Sequence, residues 1–286
     1  MWEIIKAVII GIVEGITEWL PISSTGHIKL VSQFIDLDKS QDFKDMFDVV
    51  IQLGAIMAVV VIFWSKLWPF GKKNNNVPLS DKGFGSYVKK DIFIMWFKVL
   101  VACIPSIIVG LTLNDWIKAN LYNEWVIAAA LIVFGIAFIV VENWNKGRTP
   151  KINTIGELTY RAALIIGCFQ LIAALFPGTS RSGATIIGAL LIGVSRTVAA
   201  EFTFYLAVPV MFGASLLEVM DFGTDFTKSE IAVLAAGMIT AFLVSLFVIK
   251  FLMDYIKKHD FKVFGWYRIA LGILVLIYFT AKLLAK

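Results

Sequence analysis

Apolar residues run along the chain in long blocks, each about as long as a bilayer is thick, with polar residues gathered between them. A helix needs about 20 mainly apolar residues to cross the hydrocarbon core. Six segments meet that requirement: Met46–Trp68, Ile92–Leu113, Trp125–Val141, Phe202–Met220, Ile231–Met253 and Phe264–Leu284. Two further blocks are apolar but interrupted. Trp2–Leu20 leads into Pro21-Ile22-Ser23-Ser24-Thr25-Gly26-His27 and a short apolar run ending near Ile35. Tyr160–Phe176 leads into Pro177-Gly178-Thr179-Ser180-Arg181-Ser182-Gly183 and a run ending near Val194.

Composition makes lipid the solvent. Of the 286 residues 59% are apolar and 16% charged, and mean hydropathy is +0.82, where soluble domains run near ~45–50% and ~25%. A soluble enzyme, a disordered chain and a disulfide-rich secreted domain are excluded. The expectation is an all-α polytopic membrane protein, one integral membrane domain over residues 1–286. A net charge of +5 in such a chain reflects basic cytoplasmic loops, so no nucleic-acid partner is expected. Cys103 and Cys168 sit inside apolar runs and read as packing residues. Glu3, Glu14 and Glu18 interrupt the first apolar block, which therefore does not read as a cleavable leader.

Loop charge sets the orientation. Lys72, Lys73, Lys82, Lys89 and Lys90 against Asp81 and Asp91 leave the second loop at +3, and Glu142–Arg161 and Asp254–Arg268 are each +2. Asp36–Asp45 and Asp221–Glu230 are each −2, and Leu113–Glu124 is −1. Basic loops mark the cytoplasmic side, and the two signs alternate across six spans. Each interrupted block must then enter and leave on one side, the first from outside and the second from inside, as a re-entrant helical hairpin. Irregular backbone at membrane depth is tolerated only inside protein or beside a water-filled cavity, so the two tips are expected to meet. Pro21-x-Ser23-Ser24 recurs as Pro177-x-Thr179-Ser180, and at the same spacing Glu14 faces Gln170. The prediction is an inverted-topology repeat, about 1–142 and about 157–286, an arrangement shared by transporters and membrane enzymes.

The interruptions hold the polar chemistry. Glu14 and Glu18 lie one turn apart on one helix face, and two like charges in an apolar setting require a proton or a cation between them. One of Ser23, Ser24 and Thr25 is expected to cap a new helix, leaving the other hydroxyls and free amides as an anion cradle. His27 stands beside this cluster as a candidate acid–base residue, whereas His259 lies in a basic loop. Arg181, with Thr179, Ser180 and Ser182, offers a planar fork suited to phosphate. A salt bridge from Arg181 to Glu14 or Glu18 is the simpler alternative. Together these residues point to a phosphate or diphosphate on a membrane-resident lipid.

Glu14-Gly15-Ile16-Thr17-Glu18-Trp19-Leu20-Pro21-Ile22-Ser23-Ser24-Thr25-Gly26-His27 resembles the E-x-x-x-E and P-x-S-S-T-G-H signature of undecaprenyl-diphosphate phosphatases, the bacitracin-resistance protein family. Pro177–Thr185 resembles its P-G-x-S-R-S-x-x-T motif, and Val50–Ala55 and Glu201–Phe204 continue the likeness. The resemblance implies a bacterial inner-membrane hydrolase with its site open to the periplasmic side. It would remove the terminal phosphate of undecaprenyl diphosphate, a polyprenyl diphosphate lipid, and so recycle the cell-wall carrier and confer bacitracin resistance. It further implies a divalent cation, Mg²⁺ or Ca²⁺, held by Glu14 and Glu18, one of which is otherwise a general base. Arg181, Ser180 and Thr185 would grip the diphosphate, with Ser23, Thr25, Thr179 and Ser182 lining it. His27 would serve as acid–base residue or nucleophile, with Ser24 the competing nucleophile. A homodimer is compatible with all of this. The principal rival, a lipid transporter, would share most of these residues.

Overall fold

The computed structural model describes residues 1–71, 75–223 and 225–285, without the side chains of 114, 115 and 118. Lys72 and Lys73, two of the loop cations counted above, lie outside the described residues. Within them the chain forms eleven α-helices, one short 3-10 turn at Gly83–Tyr87, and isolated bridges in place of any strand.

Among the described residues six helices are long and apolar enough to cross a membrane: α3 (Gln41–Ile62), α5 (Lys90–Asn120), α6 (Glu124–Asn145), α9 (Arg196–Phe222), α10 (Lys228–Ile256) and α11 (Lys262–Leu284). These are the six segments expected, and the protein is a multi-pass, all-α membrane protein. At about 1.5 Å per residue, the 22 residues of α3 cover roughly 33 Å. The interrupted blocks become two helical hairpins, α1 (Trp2–Thr17) with α2 (Ser24–Val31), and α7 (Tyr160–Leu175) with α8 (Arg181–Leu191). No helix of either hairpin exceeds 16 residues.

Local sequence explains where the helices start. Ser40, Asn123 and Thr159 each take the amide three residues on, and Thr227 with Glu230 closes a capping box at the head of α10. The first span differs from its expected extent, Met46–Trp68. The helix breaks at Phe63, where φ is −103° and ψ is 19°, and a single separate turn, α4 (Trp64–Leu67), follows. Phe63 is fixed there by burial against Phe204 and Tyr205.

Helix neighbours fall into matched pairs. α1 lies on α10 as α7 lies on α5, and α10 lies on α3 as α5 lies on α9. α3 touches α9 at the centre, while α6 and α11 pair beside the short helices α2 and α8. The α6–α11 crossing is close because a Cβ on Gly135 would fall 2.7 Å from the Gly265 carbonyl oxygen, and the reverse also holds. Small residues at such crossings let backbones approach where lipid supplies no hydrophobic drive.

Two groups assigned to loops turn out to be interior. Glu142 is buried at the end of α6, where it pairs with Arg196 and accepts the Phe261 amide at 3.0 Å. Arg268 lies six residues inside α11 and is fully buried. It therefore does not count with the loop charge of Asp254–Arg268, although the remaining excess there keeps its sign.

Candidate functional site

Each hairpin turns through a short irregular segment and restarts on a serine cap. Ser23 Oγ accepts the Gly26 amide at 3.3 Å, and Ser180 Oγ accepts the Gly183 amide at 3.2 Å. Both caps have positive φ, 74° and 69°, an uncommon and strained conformation for residues with a Cβ. Ser23 thus corresponds to Ser180, not to Thr179 as the proline spacing implied. At a spacing of 156, Ala7, Gly11 and Glu14 of α1 and Ala163, Gly167 and Gln170 of α7 are all buried. The second tip carries one extra residue, Gly178, with φ of 90°. A Cβ there would fall 2.7 Å from the Ile127 carbonyl oxygen, so the insertion needs glycine for both its torsion and its room.

The tips meet. Glu18 accepts the Ser24 hydroxyl on Oε2 at 2.8 Å and Arg181 Nη2 on Oε1 at 3.0 Å. Ser182 Oγ donates to the Glu18 carbonyl at 3.2 Å, a third tie between the hairpins. Arg181 Nη1 is steadied by the Thr203 carbonyl of α9 at 3.2 Å. Thr185 lies behind it, bonded to the Arg181 carbonyl and to Thr203 Oγ1. Trp19, fully buried, packs edge-on to Phe204 at 5.2 Å and anchors the first tip. The expected Arg181–glutamate bridge therefore exists, and it goes to Glu18. Only two of the five guanidinium N–H groups are used by these bonds, which leaves donors for an oxyanion.

Glu14 is fully buried, one turn before Glu18, and among the described residues neither carboxylate oxygen has a hydrogen-bond partner. An unpartnered carboxylate in such a place is costly and calls for a proton or a metal ion. Its counterpart Gln170 is neutral and donates to Ser106 Oγ at 2.9 Å. The oxygen donors suit a hard divalent cation. Among the described residues no group of three or more His, Cys, Asp or Glu side chains is placed to hold one.

His27 is set apart. Its Nδ1 donates to the Ser23 carbonyl at 2.7 Å, and Nε2 lies 2.7 Å from the Tyr267 hydroxyl. Neither nitrogen bonds to Ser24 or Glu18. Ser180 and Ser182 share a hydroxyl contact of 3.1 Å, Thr179 Oγ1 is buried without a partner among the described residues, and Thr25 is half-buried.

One interior residue escaped sequence reasoning. Arg268 reaches both tips at once: Nη1 donates to the Pro21 carbonyl at 3.3 Å, and Nη2 to the carbonyls of Gly178 and Thr179 at 3.0 and 2.7 Å. Its signal was an arginine inside an apolar run, masked by counting it with the preceding loop.

Six spans, two helical hairpins and a carboxylate–hydroxyl–guanidinium cluster where their tips touch define a polytopic membrane protein with an interior polar site whose donors suit an anionic group. Residues 7–274 match the bacitracin resistance protein BacA family, and the chain belongs to it. It is 61% identical over 275 residues to an undecaprenyl-diphosphatase of Enterococcus faecalis, covering 96% of each chain. Identity is 59% over 280 residues to that of Desulfitobacterium hafniense, covering 98% of this chain and 97% of the relative. It is also 59% over 277 residues to undecaprenyl-diphosphatase 1 of Clostridium acetobutylicum, covering 97% of each.

Proposed function

We propose that the protein is an undecaprenyl-diphosphatase, a membrane hydrolase that releases the terminal phosphate of undecaprenyl diphosphate and returns undecaprenyl phosphate to the cell-wall cycle. Bacitracin resistance follows from that recycling. Near-full-length identity to relatives bearing that name supports the activity. The observation that carries the site is the contact of Ser24 and Arg181 with the two oxygens of a single buried carboxylate, Glu18.

Ser24 is the nucleophile in this reading. Its hydroxyl proton already points at Glu18, which accepts it as oxygen attacks the terminal phosphorus. The bond to the bridging oxygen breaks, undecaprenyl phosphate leaves, and the phosphoryl group rests on Ser24 Oγ. Water then attacks the phosphoserine, Glu18 gives its proton back to Ser24, and inorganic phosphate departs. Arg181 turns its free N–H groups to the equatorial oxygens, where charge is spread during transfer. The amides opening α2 and α8 assist it, with the hydroxyls of Ser180, Ser182 and Thr179 close by and Thr185 holding the arginine in place. His27, fixed as the Nδ1–H tautomer, stands at the margin with Tyr267.

A divalent cation, Mg²⁺ or Ca²⁺, fits Glu14 and Glu18, because the unpartnered oxygens of Glu14 are the ones a hard cation would take. When bound it would neutralise diphosphate charge.

Both hairpins are re-entrant and belong to inverted repeats of about 1–142 and 157–286. The matched neighbours of α1 and α7, and the paired serine caps, support this reading. The acidic loops around Asp36–Asp45 support a site facing the outer side of a bacterial inner membrane.

The test is phosphate release from undecaprenyl diphosphate by the purified protein in detergent, where sidedness vanishes. Release that stops with chelator and in Ser24→Ala is expected. Absence of release, with lipid movement across vesicles intact, would transfer the site to a transporter.

A further inference from the structure

A cavity of about 690 Å³ opens near the starts of α5 and α9 and the loop at Asn153–Gly156. It lies at the end of α3 opposite the Asp36–Asp45 loop, so most of a span separates it from that acidic face. Lys66, Lys89, Lys90 and Lys98 line it, with Glu201 and Asp91 as its acidic residues.

Lys66 is cancelled, since its ammonium lies 2.8 Å from Glu201. Lys98 is not. It sits eight residues into α5, about 12 Å below the helix start, and is only 6% exposed. Among the described residues its ammonium meets only the carbonyls of Ile155 and Gly156, at 3.4 and 3.1 Å. A cation so buried without a carboxylate is costly. The excess of basic residues in inner loops does not explain it, because it belongs to the helix wall. Lys89 and Lys90 stand at the amino end of α5, the positive end of its dipole, where a cation is unfavourable. No side chain caps that end. The start of α9 faces the same cavity through Thr197 and Val198. Its Ser195 cap is long, 3.5 Å to the Val198 amide. Three uncancelled lysines and two positive helix ends thus converge against one exposed aspartate.

We propose that this cavity is a second anion site, built for a phosphate-bearing group and separate from the hairpin tips. A singly charged carboxylate would leave the charge uncompensated, whereas a phosphate monoester brings up to two charges and several acceptor oxygens. Its source is a lipid headgroup of the membrane leaflet at that end or free phosphate. Basic pockets between spans recur as headgroup sites.

The experiment is thermal unfolding of the full-length protein in neutral detergent, in an Arg181→Ala background that silences the hairpin-tip fork. The probes are short-chain phosphatidic acid, inorganic phosphate and short-chain phosphatidylcholine. Saturable protection by phosphatidic acid and none by phosphatidylcholine is expected. Protection by phosphatidic acid alone assigns a lipid headgroup, and equal protection by inorganic phosphate assigns the free anion. Lys98→Met keeps the apolar stem and should weaken apparent affinity about 10-fold or more, a loss of about 1.4 kcal/mol. The Lys89→Gln/Lys90→Gln pair at the helix start gives the same reading if Lys98→Met folds poorly. Lys258→Gln, an exposed lysine in another loop, should change nothing. Equal weakening by Lys258→Gln and the cavity variants would mean diffuse surface charge and overturn the site, as would absence of protection by either anion.

Discussion

Replacing Arg268 by lysine separates its charge from its shape. The guanidinium serves the first tip through Nη1 on Pro21 and the second through Nη2 on Gly178 and Thr179. A lysine ammonium keeps the positive charge but occupies one point, so it serves one tip and leaves the other short of a donor. Each buried carbonyl so stranded costs about 1–3 kcal/mol. The smaller loss, of Pro21 alone, sets a floor near 1 kcal/mol, and loss of both second-tip carbonyls about doubles it. The desolvation cost of the buried charge is common to both residues and cancels. Turnover should suffer more than stability. Glu18 and Ser24 ride on the first tip and Arg181 on the second, and a shift of about 1 Å between reacting groups costs on the order of 10²-fold. The assay pairs phosphate release in detergent with the thermal unfolding midpoint. Arg268→Lys should unfold a few degrees lower and lose about 10²-fold in turnover, with substrate affinity nearly unchanged. Parental turnover together with a parental midpoint would refute the claim that Arg268 sets the tips in register.

Three further outcomes follow from the same geometry. Arg181→Lys keeps the ion pair with Glu18 but forfeits the planar fork, and should lose about 10²-fold in turnover, roughly 2.7 kcal/mol of barrier; near-parental turnover would leave Arg181 only a charge-balancing role. Glu14→Gln should weaken the dependence of activity on divalent cation and, in chelator, unfold no lower than the parent, because a buried unpartnered charge has been removed; an unchanged metal titration would take Glu14 out of cation binding. Cysteines placed at Asn75 and Asp225 should label from opposite faces of intact cells, and labelling from one face would break the six-span topology.

The six spans were legible because hydrophobic length in a bilayer is nearly a sufficient code. The tips were legible as motifs, and Arg181 facing a glutamate was among the alternatives. What sequence withheld was register and depth. The serine caps correspond at a spacing one residue longer than the prolines suggest, since the inserted Gly178 is absorbed in the turn and shows only as a torsion. Arg268 and Glu142 were read as loop charges because a few residues decide whether a side chain near a helix end reaches water or carbonyls. Sequence could not say that His27 turns to Tyr267 and leaves Ser24 to Glu18, because that choice is made by rotamers. The break at Phe63 was equally hidden, being set by aromatic neighbours on α9.

Glu14 and Gln170 hold matching places in α1 and α7, and Ser24 and Arg181 each open the helix that follows a serine cap. Similar helix neighbours thus surround unlike side chains in the two halves. Two copies of the first half would oppose carboxylates to carboxylates, and two copies of the second would oppose guanidinium to guanidinium. Neither combination brings a hydroxyl, a carboxylate and a guanidinium to one point. The two halves are joined through unlike groups, the carboxylate of one meeting the guanidinium of the other in the Glu18–Arg181 contact.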